Sequence, residues 1–167
     1  MSNKTTGVNA GPAVSNAKES PHAEFLIQRL YIKDVSFESP QSPEVFKHNV
    51  QPTISVNINT TSNPLTEENT HEVVLTTTIT AAQENKNVFL VEVKQAGVFI
   101  LKNIPKENLA AVLSVTCPTI LFPYLRETVT SLATKGGFPN FYLSPINFEA
   151  LYLNSLKHQK EKSETET

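Results

Sequence analysis

Strand periodicity and helix periodicity occupy separate parts of this chain, strands first and helices second. That order excludes the alternating winding that builds a parallel sheet. It points to an α+β fold, a four-stranded antiparallel sheet followed by helices packed on one side. Residues 25–37 form the first strand. Val35 and Phe37 face one way, and Asp34, Ser36 and Glu38 the other. Its first half is apolar on both parities (Leu26, Ile27, Leu30, Tyr31, Ile32), as if covered on both faces. Ser39-Pro-Gln-Ser-Pro43 breaks the strand. Residues 53–60 alternate cleanly, with Ile54, Val56 and Ile58 on one face and Ser55, Asn57 and Asn59 on the other. Residues 61–70 form a polar turn region containing Asn63-Pro64. Residues 72–82 are the third strand, with Val73, Leu75 and Ile79 opposite a threonine-rich side. The hairpin loop 83–87 makes this strand the antiparallel neighbour of the fourth, residues 88–95.

Helix signals begin at Asn103, a cap residue with Pro105 in the following turn and Leu109, Val112, Leu113 and Thr116 on the buried side. The next helix starts at Cys117 and carries two prolines. Pro118 fits the first helical position, where its missing N–H costs nothing. Pro123 removes a ladder bond. Ile120, Leu121, Tyr124, Leu125, Val129 and Leu132 keep one apolar stripe. Lys135-Gly-Gly137 ends the helix with a cation and a glycine. Ser144-Pro145 starts the last helix, cap followed by proline. Its Ile146, Phe148, Leu151, Tyr152, Leu153 and Leu156 wrap more than one face, so more than one neighbour must cover them.

The residues offer no catalytic constellation. There is no Gly-rich phosphate loop, no His-x-x-x-His pair and no nucleophile elbow. The four histidines are scattered, and the single cysteine, Cys117, reads as a buried structural thiol. One cysteine excludes an intrachain disulfide and a cysteine-based zinc site, and it fits a reducing cytosol. The expectation is a non-enzyme with no metal and no cofactor. A net charge of −2 gives no reason to bind nucleic acid or an anionic membrane. No apolar run is expected to reach the roughly 20 residues that span a bilayer, and the N-terminus lacks the apolar segment of a secretory signal. Residues 1–23 are expected to be a disordered tail, 24–158 the folded domain, and 159–167 a flexible tail.

Four long blocks carry a family resemblance. They are Tyr31-Ile-Lys-Asp-Val-Ser-Phe-Glu-Ser-Pro40, the segment Phe89-Leu-Val-Glu-Val-Lys-Gln-Ala-Gly-Val-Phe99, the proline-bearing helix, and Phe138-Pro-Asn-Phe-Tyr-Leu-Ser-Pro-Ile-Asn-Phe-Glu-Ala-Leu-Tyr152. In wording, order and spacing they resemble SecB, the bacterial protein-export chaperone. The resemblance implies a cytosolic, ATP-independent holdase that binds unfolded preproteins and delivers them to the SecA motor ATPase. It also implies a homotetramer, a dimer of dimers.

The resemblance gives individual residues roles. Asp34, Glu38, Leu90 and Glu92 match the family's SecA-contacting positions. Asp34 and Glu38 are four residues apart on one strand face, hence roughly 13 Å apart and too far for an acid/base pair acting on one bond. Val91, Val93 and Gln95 match positions at or near the contact between dimers. The client groove is expected between the crossover around residues 40–52, nearby sheet residues and the last helix, with Val50, Ile54, Val56, Ile58, Leu151, Tyr152 and Leu156 as its residues. Val50 stands where many family members carry an aromatic residue, which makes part of an aromatic subsite shallower. Two other roles fit the same residues: a chaperone of this fold dedicated to one partner, such as a toxin–antitoxin pair, or a small-ligand binder or enzyme on an α+β scaffold.

Overall fold

A computed structural model describes residues 22–47, 49 and 51–165. Four strands form one antiparallel sheet in the order β1-β4-β3-β2. They are β1 (Glu24–Glu38), β2 (Thr53–Pro64), β3 (Thr70–Gln83) and β4 (Lys86–Lys102). A short 3₁₀ turn, Glu44–Lys47, lies in the crossover from β1 to β2. The helices are α1 (Lys106–Ala111), α2 (Cys117–Lys135) and α3 (Phe148–Thr165). The expected N-terminal tail lies outside the described residues except for His22 and Ala23. Helix α3 continues to Thr165, so most of the expected C-terminal tail is helical.

Strand β1 does not alternate with a simple period of two. Two β-bulges, between Ile27 and Arg29 and between Ile32 and Asp34, reset the alternation. Phe25, Ile27, Leu30, Ile32, Val35 and Phe37 therefore all lie opposite odd-numbered residues of β4, from Leu101 down to Val91. Residues directly opposite in an antiparallel ladder share a face. That face has a 2-3-2-3-2 spacing, while Leu26 and Tyr31 lie opposite Ile100 and Ala96 on the other face, so the first half of β1 is apolar on both sides, as expected. Ile27, Ile32 and Val35 nonetheless remain 46%, 50% and 42% exposed, because the helices cover the middle of the sheet and not this edge.

The core lies between that face and α2. Leu75, Ile79, Val91, Val93 and Phe99 from the sheet meet Cys117, Leu121, Leu125 and Val129 from the helix. Leu125 and Cys117 are fully buried, and burial pushes the Cys117 thiol up to about 12, which leaves it an inert packing group. Strands β3 and β4 join through a two-residue turn in which Glu84 and Asn85 both have positive φ, the geometry that matches strand twist. β4 runs seven residues past the expected end at Gln95. β2 runs to Pro64, which an edge strand tolerates.

The helical half differs from expectation in three places. Asn103 does not cap α1; it has φ 55°, and its Nδ2 donates to the His22 carbonyl at 3.0 Å. Helices α1 and α2 are one continuous helical segment, joined by a π-turn at Val112–Thr116 where Cys117 N–H bonds to the Val112 carbonyl. The widened turn directly precedes Pro118, which has no N–H to continue the ladder. Together they make a segment of 30 residues, Lys106–Lys135, that by length and composition could cross a membrane, contrary to the expectation of no such run. Its apolar stripe is used by the sheet. Finally, α3 is capped by Asn147 rather than Ser144, with the Ala150 N–H donating to Asn147 Oδ1 at 2.9 Å.

The end of α2 is fixed by close packing. A Cβ on Gly136 would lie 2.1 Å from Phe37 Cζ, and that ring is already flanked by Phe89 and Phe138 at 6.2 and 6.3 Å between centroids. Gly136 has an ordinary φ of −72°, so alanine there tests crowding alone. Gly136→Ala is expected to lower stability by about 1–3 kcal/mol in urea unfolding. A second substitution, Phe37→Leu, should recover part of the loss.

Candidate functional site

Two surfaces stand out, one apolar and one charged. The apolar one is a cavity of about 370 Å³ between the crossover, the start of β2 and the segment that follows α2. Val45, Phe46, Asn49 and Pro52 line one side, Ile54 and Phe89 the floor, and residues 137–141 the other side. Phe138 is the hub of an aromatic cluster, with ring centroids 4.8 Å from Phe89, 5.3 Å from Phe46 and 6.3 Å from Phe37. Such pairs add to plain area burial. The segment bearing Phe141 is tied to α2 by Thr130, whose Oγ1 donates to the Phe141 carbonyl at 2.8 Å. Phe46 is half exposed at the cavity mouth. None of the lining residues titrates, so the cavity can bury apolar groups but cannot transfer a proton.

Of the expected groove residues, Ile54 lines this cavity. Val56 and Ile58 follow on the same face of β2, opposite Ile79 and Thr77. Leu151, Tyr152 and Leu156 lie on α3, which packs by its start against the π-turn and α2, with Phe148 edge-on to Phe122 at 5.9 Å. They do not line the cavity, and Leu151 and Leu153 are half exposed. Val50 lies outside the described residues. Phe46, Phe138 and Phe141 are the contributors that periodicity could not find. They are isolated aromatics in irregular segments, and only the tertiary fold assembles them.

The charged surface is the other face of the sheet. The ladder sets Asp34 opposite Lys94, Ser36 opposite Glu92, and Glu38 opposite Leu90. Asp34, Glu38, Leu90 and Glu92 therefore share one patch. Lys94 Nζ reaches Asp34 Oδ2 at 3.3 Å and Glu92 Oε1 at 3.1 Å, and Thr78 Oγ1 donates to the other Glu92 oxygen at 3.4 Å. Beside this patch, Glu72 accepts from Lys33 at 2.7 Å and from the Tyr31 hydroxyl. Those bonds hold the Glu72 carboxyl below its usual range, while burial and Glu72 push Tyr31 up to about 12. Val91, Val93 and Gln95, expected at an oligomer contact, lie on the opposite, helix-covered face and are buried within this chain. Their surface neighbours on β1 are Phe37, Val35 and Ile32. Among the described residues no group of three or more metal-ligating side chains converges.

The family model for SecB, described as preprotein translocase subunit SecB, matches residues 17–159. This chain belongs to the SecB family of protein-export chaperones. Protein-export protein SecB of Thioalkalivibrio sulfidiphilus is 46% identical over 84% of this chain and 83% of its own. That of Hahella chejuensis is 46% identical over 87% and 91%, and that of Ectopseudomonas mendocina 42% over 96% and 97%. Among solved structures, the SecB-like chaperone Rv1957 of Mycobacterium tuberculosis, in complex with a peptide from the HigA1 antitoxin, superposes with a TM-score of 0.61. It covers 73% of this chain and 90% of its own at 16% identity, a likeness of fold. Membership in this family makes the chain a protein-export chaperone.

Proposed function

We propose that this SecB is an ATP-independent holdase that buries apolar segments of unfolded preproteins in the cytosol and passes them to SecA. The observation that carries the reading is the aromatic cavity, apolar, open to solvent and free of titratable groups. Burial of this kind is non-directional and tolerates many sequences, as a general chaperone requires. It needs neither nucleotide nor metal, and the chain carries no phosphate loop. Val56 and Ile58 on β2 extend the apolar surface, and Val50, Leu151, Tyr152 and Leu156 would add to it along a bound client. Weak contacts at several such places would combine by avidity.

Assembly into a dimer of dimers would cover the strip of Ile27, Ile32 and Val35 and the exposed Leu153 of α3. Val91, Val93 and Gln95 would then support the contact from beneath, directly opposite Phe37, Val35 and Ile32. SecA would dock on the other face, through Asp34, Glu38 and Glu92 with Leu90 as the apolar element. A dedicated role with one partner is disfavoured by relatives at 41–46% identity, which carry the protein-export name.

The test is paired. SecA and an unfolded client are titrated separately against Glu92→Lys. The expected result is loss of SecA affinity by about tenfold or more, since like-charge juxtaposition costs several kcal/mol, with client affinity nearly unchanged. Unchanged SecA affinity would remove this face from the reading. Equal loss of both would mean damage to the fold or assembly.

A further inference from the structure

The charges on the open sheet face follow a fixed order along the β1–β4 ladder. Glu24 meets Lys102 at 3.4 Å at one end, and Lys33 meets Glu72 at 2.7 Å farther along. Lys94 stands between Asp34 and Glu92. At the other end Glu38 makes no ion pair among the described residues. Two of the three carboxylates in the docking set are therefore already matched by one lysine of the same chain.

The backbone dictates this arrangement. Lys94 is directly opposite Asp34 and two residues from Glu92 on one strand face. The bulge between Ile32 and Asp34 brings Asp34 into that register, so Lys33 serves Glu72 while Asp34 serves Lys94. Glu92 and Asp34 together hold the Lys94 ammonium above its ordinary value, so it stays charged wherever the chaperone works.

We infer that Lys94 is an internal competitor for the cationic surface that docks on this face, and so sets the affinity and selectivity of docking. The inference rests on the reading of this face as the SecA site. An incoming Arg or Lys must displace Lys94 from Asp34 and Glu92, or use Glu38 alone. A partner with a single cation gains little from the exchange. A partner with several cations and an apolar group for Leu90 gains enough. The same competition favours release, because Lys94 returns to its carboxylates as the partner leaves.

The experiment titrates SecA against wild type, Lys94→Gln and Lys102→Gln, from about 0.05 to about 0.5 M ionic strength, where the screening length shortens severalfold. Both variants remove one positive charge from the same face, but only the first frees the docking carboxylates. Lys94→Gln is expected to bind SecA about three- to tenfold tighter at low salt, with a steeper salt dependence and convergence with wild type at high salt. Lys102→Gln should change affinity less than about twofold. If Lys94→Gln binds like wild type, or no better than Lys102→Gln, the inference is overturned. Glu92→Lys run beside them separates the two readings. Lost binding there with no effect at Lys94 refutes the competitor and leaves the docking face standing. No effect in either variant refutes both.

Discussion

Phe138→Ala is expected to lower stability by about 3 kcal/mol, the lower part of the range for truncating a packed phenylalanine. The ring is within 6.3 Å, centroid to centroid, of Phe37, Phe46 and Phe89, and it closes the side of the cavity formed by the segment after α2. Its removal opens space that three rings of fixed backbone position cannot jointly fill. Urea unfolding should show a lower midpoint with an unchanged slope, because the change adds no new exposed surface to the unfolded chain. Client affinity should fall as well, since the same ring is both packing and wall. A midpoint equal to wild type would mean that Phe138 is a surface residue, against its contacts.

Phe46→Ala separates these two roles. The Phe46 ring is half exposed and pairs with Phe138 at the edge of the cluster, so its loss should cost little stability. At a binding surface, truncation of a central aromatic anchor costs about 2 kcal/mol or more, which is well over tenfold in affinity. The expected result is therefore a variant as stable as wild type that holds unfolded client at least about tenfold more weakly. If SecA docks on the acidic patch as proposed, its affinity should be unaltered, because that patch lies on the opposite face of the sheet.

The order of strands and helices was legible because period 2 and period 3.6 are written in different parts of the sequence. The polar face of residues 53–60 and the threonine-rich face of β3 were legible for the same reason. The register of β1 was not, because two bulges break the alternation, and a bulge leaves no mark in composition. Strand β4 runs through Ala96-Gly97 rather than ending at Gln95. Gly97 is required there, since a Cβ would lie 2.7 Å from the Phe99 ring. Ser144-Pro145 reads as a cap followed by proline, yet it is Asn147, three residues on, that caps α3. The site divides in the same way. Asp34 and Glu38 lie on the regular stretch of β1 past its second bulge, and Leu90 and Glu92 on β4, so their shared patch follows from that local register. Phe46, Phe138 and Phe141 lie on irregular segments far apart in sequence, and only the fold brings them together.

In the proposed mechanism, client holding is apolar burial in the aromatic cavity, independent of nucleotide. The most direct measurement is the equilibrium affinity of one unfolded client for wild type, Phe46→Ala and Glu92→Lys, without nucleotide and in the presence of EDTA. Full affinity is expected for wild type and Glu92→Lys, and at least about a tenfold loss for Phe46→Ala. Equal affinity in Phe46→Ala and wild type, or binding by wild type that appears only when ATP or a metal is restored, would contradict the mechanism.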